Sequence, residues 1–296
     1  SDLIPGKGDS GLPTPLPATA RRWAQGIALP WTAFTLLLYG FAFVGGFVKV
    51  WGRDYTPTLG HYAKAFAIER GQEGLIWTGA AWNSFWTTVT LAAIAAPLTA
   101  LLGLLAAWLL VRQRFAGRAT LEFATMLSFA VPGTVIGVAY VFAFNVPPLE
   151  ITGTALIIVI CFVFRNMPVG VRAGMASMSQ IDRSLDEASL TLRGRAPQTL
   201  LYVVLPLLRP AIVGALIYGF VRAVTTVSAV VFLVTAEYEL ATTYIILRVI
   251  NGDYGLAIAY SCALIALMLA AILLIQFLVG NRRLGRRSGQ LQGGRA

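Results

Sequence analysis

Long apolar blocks alternate with short polar ones along most of the chain. A helix needs about 20 mostly apolar residues to cross a bilayer. Six blocks meet that length: 27–50, 83–111, 121–144, 154–175, 211–234 and 255–280. They predict an all-α, polytopic bundle of six transmembrane helices. Block 83–111 is long enough to tilt or to begin outside the lipid. Block 121–144 holds Pro132-Gly133 and the pair Gly133/Gly137, which permit a bend and a close helix contact. Residues 51–82 and 235–254 read as polar connections. Residues 1–20 carry Pro5, Pro13, Pro15 and Pro17 among glycines and read as a linker, unable to bury enough apolar surface to fold alone. The expected organisation is a linker at 1–20, a six-span domain at 21–288 and a tail at 289–296. The longest polar interruption of the second half is 178–210.

Composition agrees with a membrane protein: 57% of residues are hydrophobic and 12% charged. The net charge of +10 does not indicate nucleic acid, because the cations sit in short clusters between apolar blocks. Arg21 and Arg22, then Arg112, Arg114 and Arg118, then Arg183, Arg193, Arg195 and Arg209, and last Arg282, Arg283, Arg286 and Arg287 fall on one side of a six-span topology. The opposite loops are balanced or acidic. The positive-inside rule therefore predicts cytoplasmic termini and a cytoplasmic 178–210 loop. The chain opens on Ser1 rather than Met, which reads as a processed start or a cut from a longer polypeptide.

Enzyme chemistry finds little support. No G-x-x-x-x-G-K-[ST], G-x-S-x-G or H-E-x-x-H pattern occurs. His61 is the single histidine, and Cys161 and Cys262 read as small core hydrophobes. If ATP drives this protein, another subunit binds it. The spans contain no Asp, and their one Glu is Glu122. Arg165 and Arg222 fall near the middle of their spans, where a charge costs at least ~2.5–3.5 kcal/mol unless it faces protein or water. Two readings stand. They form a positive lining for an anion or an anion-chelated metal, or they clamp carbonyls at helix ends. Asn166 and Pro168 beside Arg165 fit a locally broken helix and serve either reading. The acidic Glu237, Glu239 and Asp253 read as solvated loop, with contact to a binding protein as the alternative.

Within 178–210, Ser184 and Glu187 have capping-box spacing. The serine hydroxyl can accept the N–H of Glu187 while the carboxylate accepts that of Ser184. A short helix at 185–192 follows, closed by Gly194 and Pro197. Ala188 and Ser189 are small enough for it to lie close against another surface. It is either an ordinary loop helix or a docking helix.

Glu187-Ala188-Ser189, Gly194 and Leu205-Pro206 resemble the EAA loop of type I ABC-importer permeases, with Glu187 nineteen residues before Pro206. Ser189 replaces the second alanine, and Arg193 occupies the usual glycine position. The runs FRNMPVGVR (164–172), FVRAVTTVSAVVFL (220–233) and GDYGLA (252–257) are similar to permeases of ferric-iron importers. The resemblance implies a bacterial inner-membrane permease subunit, with ferric iron as cargo and phosphonate or another small anion as alternative. It implies ABC ATPase subunits that use ATP and Mg, a second permease half, fused or separate, and a periplasmic substrate-binding protein. The chain itself would bind no cofactor and act within membrane lipid. Ser184, Asp186, Glu187, Ala188, Ser189, Gly194, Leu205 and Pro206 would dock the ATPase, and Arg165, Asn166 and Arg222 would line the pathway. A membrane scaffold with a docking helix is the reading of a different class.

Overall fold

The computed structural model describes residues 17–71, 74–182, 184–191 and 196–280. In chain order, α1 (Ala18–Gly45) leads to an antiparallel hairpin of β1 (Val48–Val50) and β2 (Asp54–Pro57). The short α2 (Gly60–Phe66) and a second hairpin, β3 (Ile68–Gly71) with β4 (Gly74–Trp77), follow. Then come α3 (Trp82–Arg112), α4 (Arg118–Ala130), α5 (Gly133–Phe144), α6 (Ala155–Ser179), α7 (Ser184–Thr191), α8 (Ala196–Thr199), α9 (Leu205–Leu207), α10 (Arg209–Thr225), α11 (Ala241–Ile250) and α12 (Tyr254–Ile275). Single π-helical turns occupy Leu200–Val204 and Gln276–Gly280. Four helices are long and apolar enough to cross a membrane, and six crossings result if each of two bent helix pairs counts as one.

The core is built where α3, α6 and α10 meet. In lipid, burying Leu against Leu gains little over leaving it in the acyl chains, so close packing favours small residues. The buried face of α3 accordingly carries Ala92, Ala95, Ala96, Thr99, Ala100, Gly103 and Ala107. A Cβ on Gly219 of α10 would lie 3.4 Å from the Cα of Ala96, and one on Gly174 of α6 would lie 2.7 Å from the Cβ of Ala107. These helices approach almost backbone to backbone.

Hydroxyl groups join α3 to α11 and α12. The Ser84 and Tyr260 hydroxyls are 2.9 Å apart. Thr88 Oγ1 donates to the Ser84 carbonyl at 2.7 Å and accepts from the Ala241 N–H at 2.7 Å, which satisfies a donor at the start of α11. Trp77, Trp82 and Trp86 cluster at the same end, and Trp82 Nε1–H donates to the Ala67 carbonyl at 3.0 Å.

Several sequence expectations change. The first crossing begins earlier than block 27–50, at Ala18, so part of the expected linker is helical. Residues 51–82 are not a plain connection: they hold β2, α2 and the second hairpin. The third block is a helix pair bent by 112°, far more than a local bend. Proline disfavours helical geometry in the residue before it, and here Val131 is extended while Pro132 precedes the first turn of α5. Gly137 packs against the Ala229 carbonyl of an irregular segment, not against another helix. The expected break at Asn166 and Pro168 does not occur, because α6 runs unbroken through both. A packed membrane helix tolerates the lost N–H of proline. The fifth block ends as helix at Thr225, with residues 226–234 in turns.

Candidate functional site

Arg165 and Arg222 are brought together at the break between α4 and α5. Both line a cavity of about 380 Å³ with Ser128, Pro132 and Gly133. Arg165 lies within α6, whereas Arg222 lies in the last turn of α10, where the negative end of the helix favours a cation. Thr226 continues that end by donating its hydroxyl to the Arg222 carbonyl. Arg165 Nε and Nη1 and Ser128 Oγ are buried and have no hydrogen-bond partner among the described residues. Neither arginine forms an ion pair with a described residue. Asn166 is buried with its Nδ2 unpaired, yet it does not line this cavity.

Gly133 explains the closeness. A Cβ there would stand 2.9 Å from both Nη1 and Nη2 of Arg165. Ser128, which lines the cavity, escaped the sequence reading, as did the neighbouring Arg172, which does not line it. Ser128 was a lone hydroxyl in an apolar run. Arg172 follows Arg165 by seven residues, a spacing that returns to the same helix face. Its guanidinium sits 5.7 Å from the centre of the Phe129 ring, and its Nε–H points at Met126 Sδ at 3.1 Å.

The loop after α6 forms the second part of the site. α7 is a short helix, starting one residue earlier than expected. The Ser184 N–H donates to Asp182 Oδ1 at 2.9 Å, so a residue before the helix caps that donor. Gly194, Arg183, Arg193 and Arg195 lie outside the described residues, as do the side chains of Asp186 and Glu187. Ala188 is exposed. The Ser189 and Thr199 hydroxyls are 2.7 Å apart and join α7 to α8. Arg112 Nη2–H at the end of α3 donates to the Ile181 carbonyl at 3.1 Å. Behind this, Ala107, Met178, Val204 and Leu208 form a buried cluster shared by α3, α6 and the start of α10. Leu205 and Pro206 open α9, and the chain bends by 63° between Leu201–Leu207 and Arg209–Thr225.

At the opposite end, Lys49, His61, Lys64 and Asp253 line a cavity of about 560 Å³. His61 Nε2 lies 3.0 Å from the Val48 carbonyl. Nearby, Arg248 pairs with Asp253 at 3.5 Å and stacks on Tyr244. Burial raises the pKa of Glu239 above the usual carboxylate value, opposed by the positive charge of Arg248. Among the described residues no group of three or more His, Cys, Asp or Glu is placed to hold a metal ion.

Residues 99–284 match the family described as "Binding-protein-dependent transport system inner membrane component". The chain is 52% identical over 254 residues to the ferric transport system permease protein FbpB of Actinobacillus pleuropneumoniae, covering 86% of this chain and 36% of that protein. It is 48% identical over 241 residues to the putative ferric transport system permease protein FbpB 1 of Haemophilus influenzae, covering 81% of this chain and 37% of that one. The chain thus spans little more than a third of the length of these relatives. Among solved structures, a bacterial alginate ABC transporter in complex with an alginate pentasaccharide-bound periplasmic protein aligns with TM-score 0.64 and 14% identity, over 88% of this chain and 94% of that chain. At that identity the likeness concerns the fold.

Proposed function

From the premise that this chain belongs to the family of binding-protein-dependent transport system inner membrane components, we propose that it is the permease part of an ATP-driven importer of ferric iron. It is a multi-pass membrane protein. In this reading a periplasmic binding protein delivers the iron, and a second permease half completes the pathway. Separate ATPase subunits use ATP and Mg, and they dock on the cytoplasmic loop 178–210, with Ser184, Asp186, Glu187, Ala188, Ser189, Gly194, Leu205 and Pro206 at the contact. Both termini are cytoplasmic, with 1–20 as linker and 289–296 as tail around the spanning domain 21–288.

The observation that carries the reading is the anchoring of α7. It is tied to α8 through Ser189 and Thr199, and the chain leading into it is tied to α3 through Arg112 and Ile181. Movement of α7 is therefore delivered to α3, α6 and α10, the three helices that pack as one core. A docked partner that shifts this helix shifts the walls of the pathway. The identity to FbpB supports iron as the cargo. Arg165 and Arg222 line the pathway at the α4–α5 break, with Asn166 beside Arg165 on α6.

The cavity itself favours a second cargo. Two guanidiniums without a carboxylate suit phosphonate or another small anion, carried by the same machine. The test is ATP hydrolysis by the complete transporter in vesicles, with wild type compared with Glu187→Lys. Stimulation by an iron-loaded binding protein, lost in the variant, is the expected result. Stimulation only by a phosphonate-loaded protein would change the cargo. Failure of any ATPase to co-purify would overturn the importer reading.

A further inference from the structure

We propose that the cavity at the α4–α5 break is an oxyanion-binding site, with Arg165 and Arg222 as its ligands. This rests on the pathway reading and names what the pathway holds there. A buried guanidinium is costly unless its N–H groups are satisfied and its charge is met. Here Arg165 Nε and Nη1 are buried with no partner among the described residues, and Ser128 Oγ is in the same condition. Among the described residues, no acidic side chain lines the cavity. An acceptor that is also an anion would satisfy these donors, if small enough for about 380 Å³.

The donors have the shape an oxyanion requires. The arginine fork presents parallel N–H groups that match two oxygens of one anion. Arg222 enters the same space from α10, and Ser128 adds a hydroxyl from α4. The cavity also meets the first turn of α5, whose leading N–H groups carry partial positive charge. Gly133 keeps this turn against the guanidinium, since a Cβ would fall 2.9 Å from Nη1 and Nη2. The ligand class is an oxygen anion, free or travelling as a ligand of the metal it accompanies.

The experiment measures binding by the complete transporter in nanodiscs, without nucleotide or binding protein. The probes are radiolabelled inorganic phosphate and, separately, radiolabelled ferric citrate. The expected result is saturable binding of at least one probe, weakened about tenfold or more in Arg165→Gln, since a hydrogen bond to a charged group contributes about 1.5–3 kcal/mol. Arg165→Lys, which keeps charge but not the fork, binds more weakly than wild type. Arg222→Gln, at an exposed side chain, gives the same readout if the Arg165 variants do not assemble. Binding of phosphate alone identifies a free anion, and binding of ferric citrate alone identifies an anion carried on the metal. No saturable binding of either probe, or binding unchanged in all variants, overturns the site. ATPase stimulation by a loaded binding protein, measured in the same particles, tests the importer reading separately: stimulation with no anion binding leaves the importer and removes the site.

Discussion

A Cβ built on Gly103 of α3 would lie 3.1 Å from the Cα of Gly170 on α6, so these two helices touch through their backbones. Each glycine makes room for the other. The contact lies in the core that joins the two halves of the candidate site.

Gly103→Leu therefore forces α3 and α6 apart, at a cost of about 1–3 kcal/mol or more from overpacking. Gly103→Ala needs a shift of only a few tenths of an ångström and costs less. Thermal unfolding in detergent should rank wild type above Ala and Ala above Leu. Equal stability of wild type and the Leu variant would contradict the contact.

Ser189→Ala brings the segment closer to the importer-family pattern yet removes the hydroxyl that meets Thr199. Loss of one such bond is worth about 0.5–1.5 kcal/mol. Amide exchange at 184–191 should quicken by about 2- to 12-fold, while α3 and α6 keep their protection. Unchanged exchange would mean that something else holds α7.

Thr88→Val and Tyr260→Phe delete neighbouring hydroxyls with different consequences. Ser84 keeps its donation to the Ala81 carbonyl at 3.1 Å when Tyr260 loses its oxygen. Thr88→Val instead strands the buried N–H of Ala241, a cost of about 1–3 kcal/mol. The Val variant should unfold at the lower temperature, and the reverse order would count against this wiring.

Glu239 supplies a pH dependence. Its folded-state pKa is raised, so the folded protein binds this proton more tightly than the unfolded chain. The charged form destabilises the fold above that pKa, and the penalty is relieved as pH falls through it toward the ordinary 4.5. Glu239→Gln should stabilise the protein at neutral pH, with the advantage shrinking on acidification. A gain that is constant with pH would rule out the carboxylate as its source.

The lengths of the apolar blocks alone marked the segments able to cross a membrane, because a bilayer demands about 20 apolar residues whatever their neighbours. The six blocks correspond, with the first and fifth shifted toward the N-terminus, to four long helices and two bent pairs. A short helix near Ser184 was likewise expected from local spacing, since helix starts are set by bonds a few residues apart, but the bond found at its start runs from the Ser184 N–H to Asp182 Oδ1. Tertiary packing decided the rest. Pro132 breaks its span by 112°, while α6 runs unbroken through Pro168, and both are prolines in apolar runs. What differs is the surroundings, because Pro168 is buried in a helix packed against α3 and α10, whereas Pro132 stands at a cavity. Arg165 and Arg222, far apart in sequence, share that cavity only because small residues let α3, α6 and α10 close on one another. Local pattern sets which segments are helical; the meeting of two distant charges depends on how those helices pack.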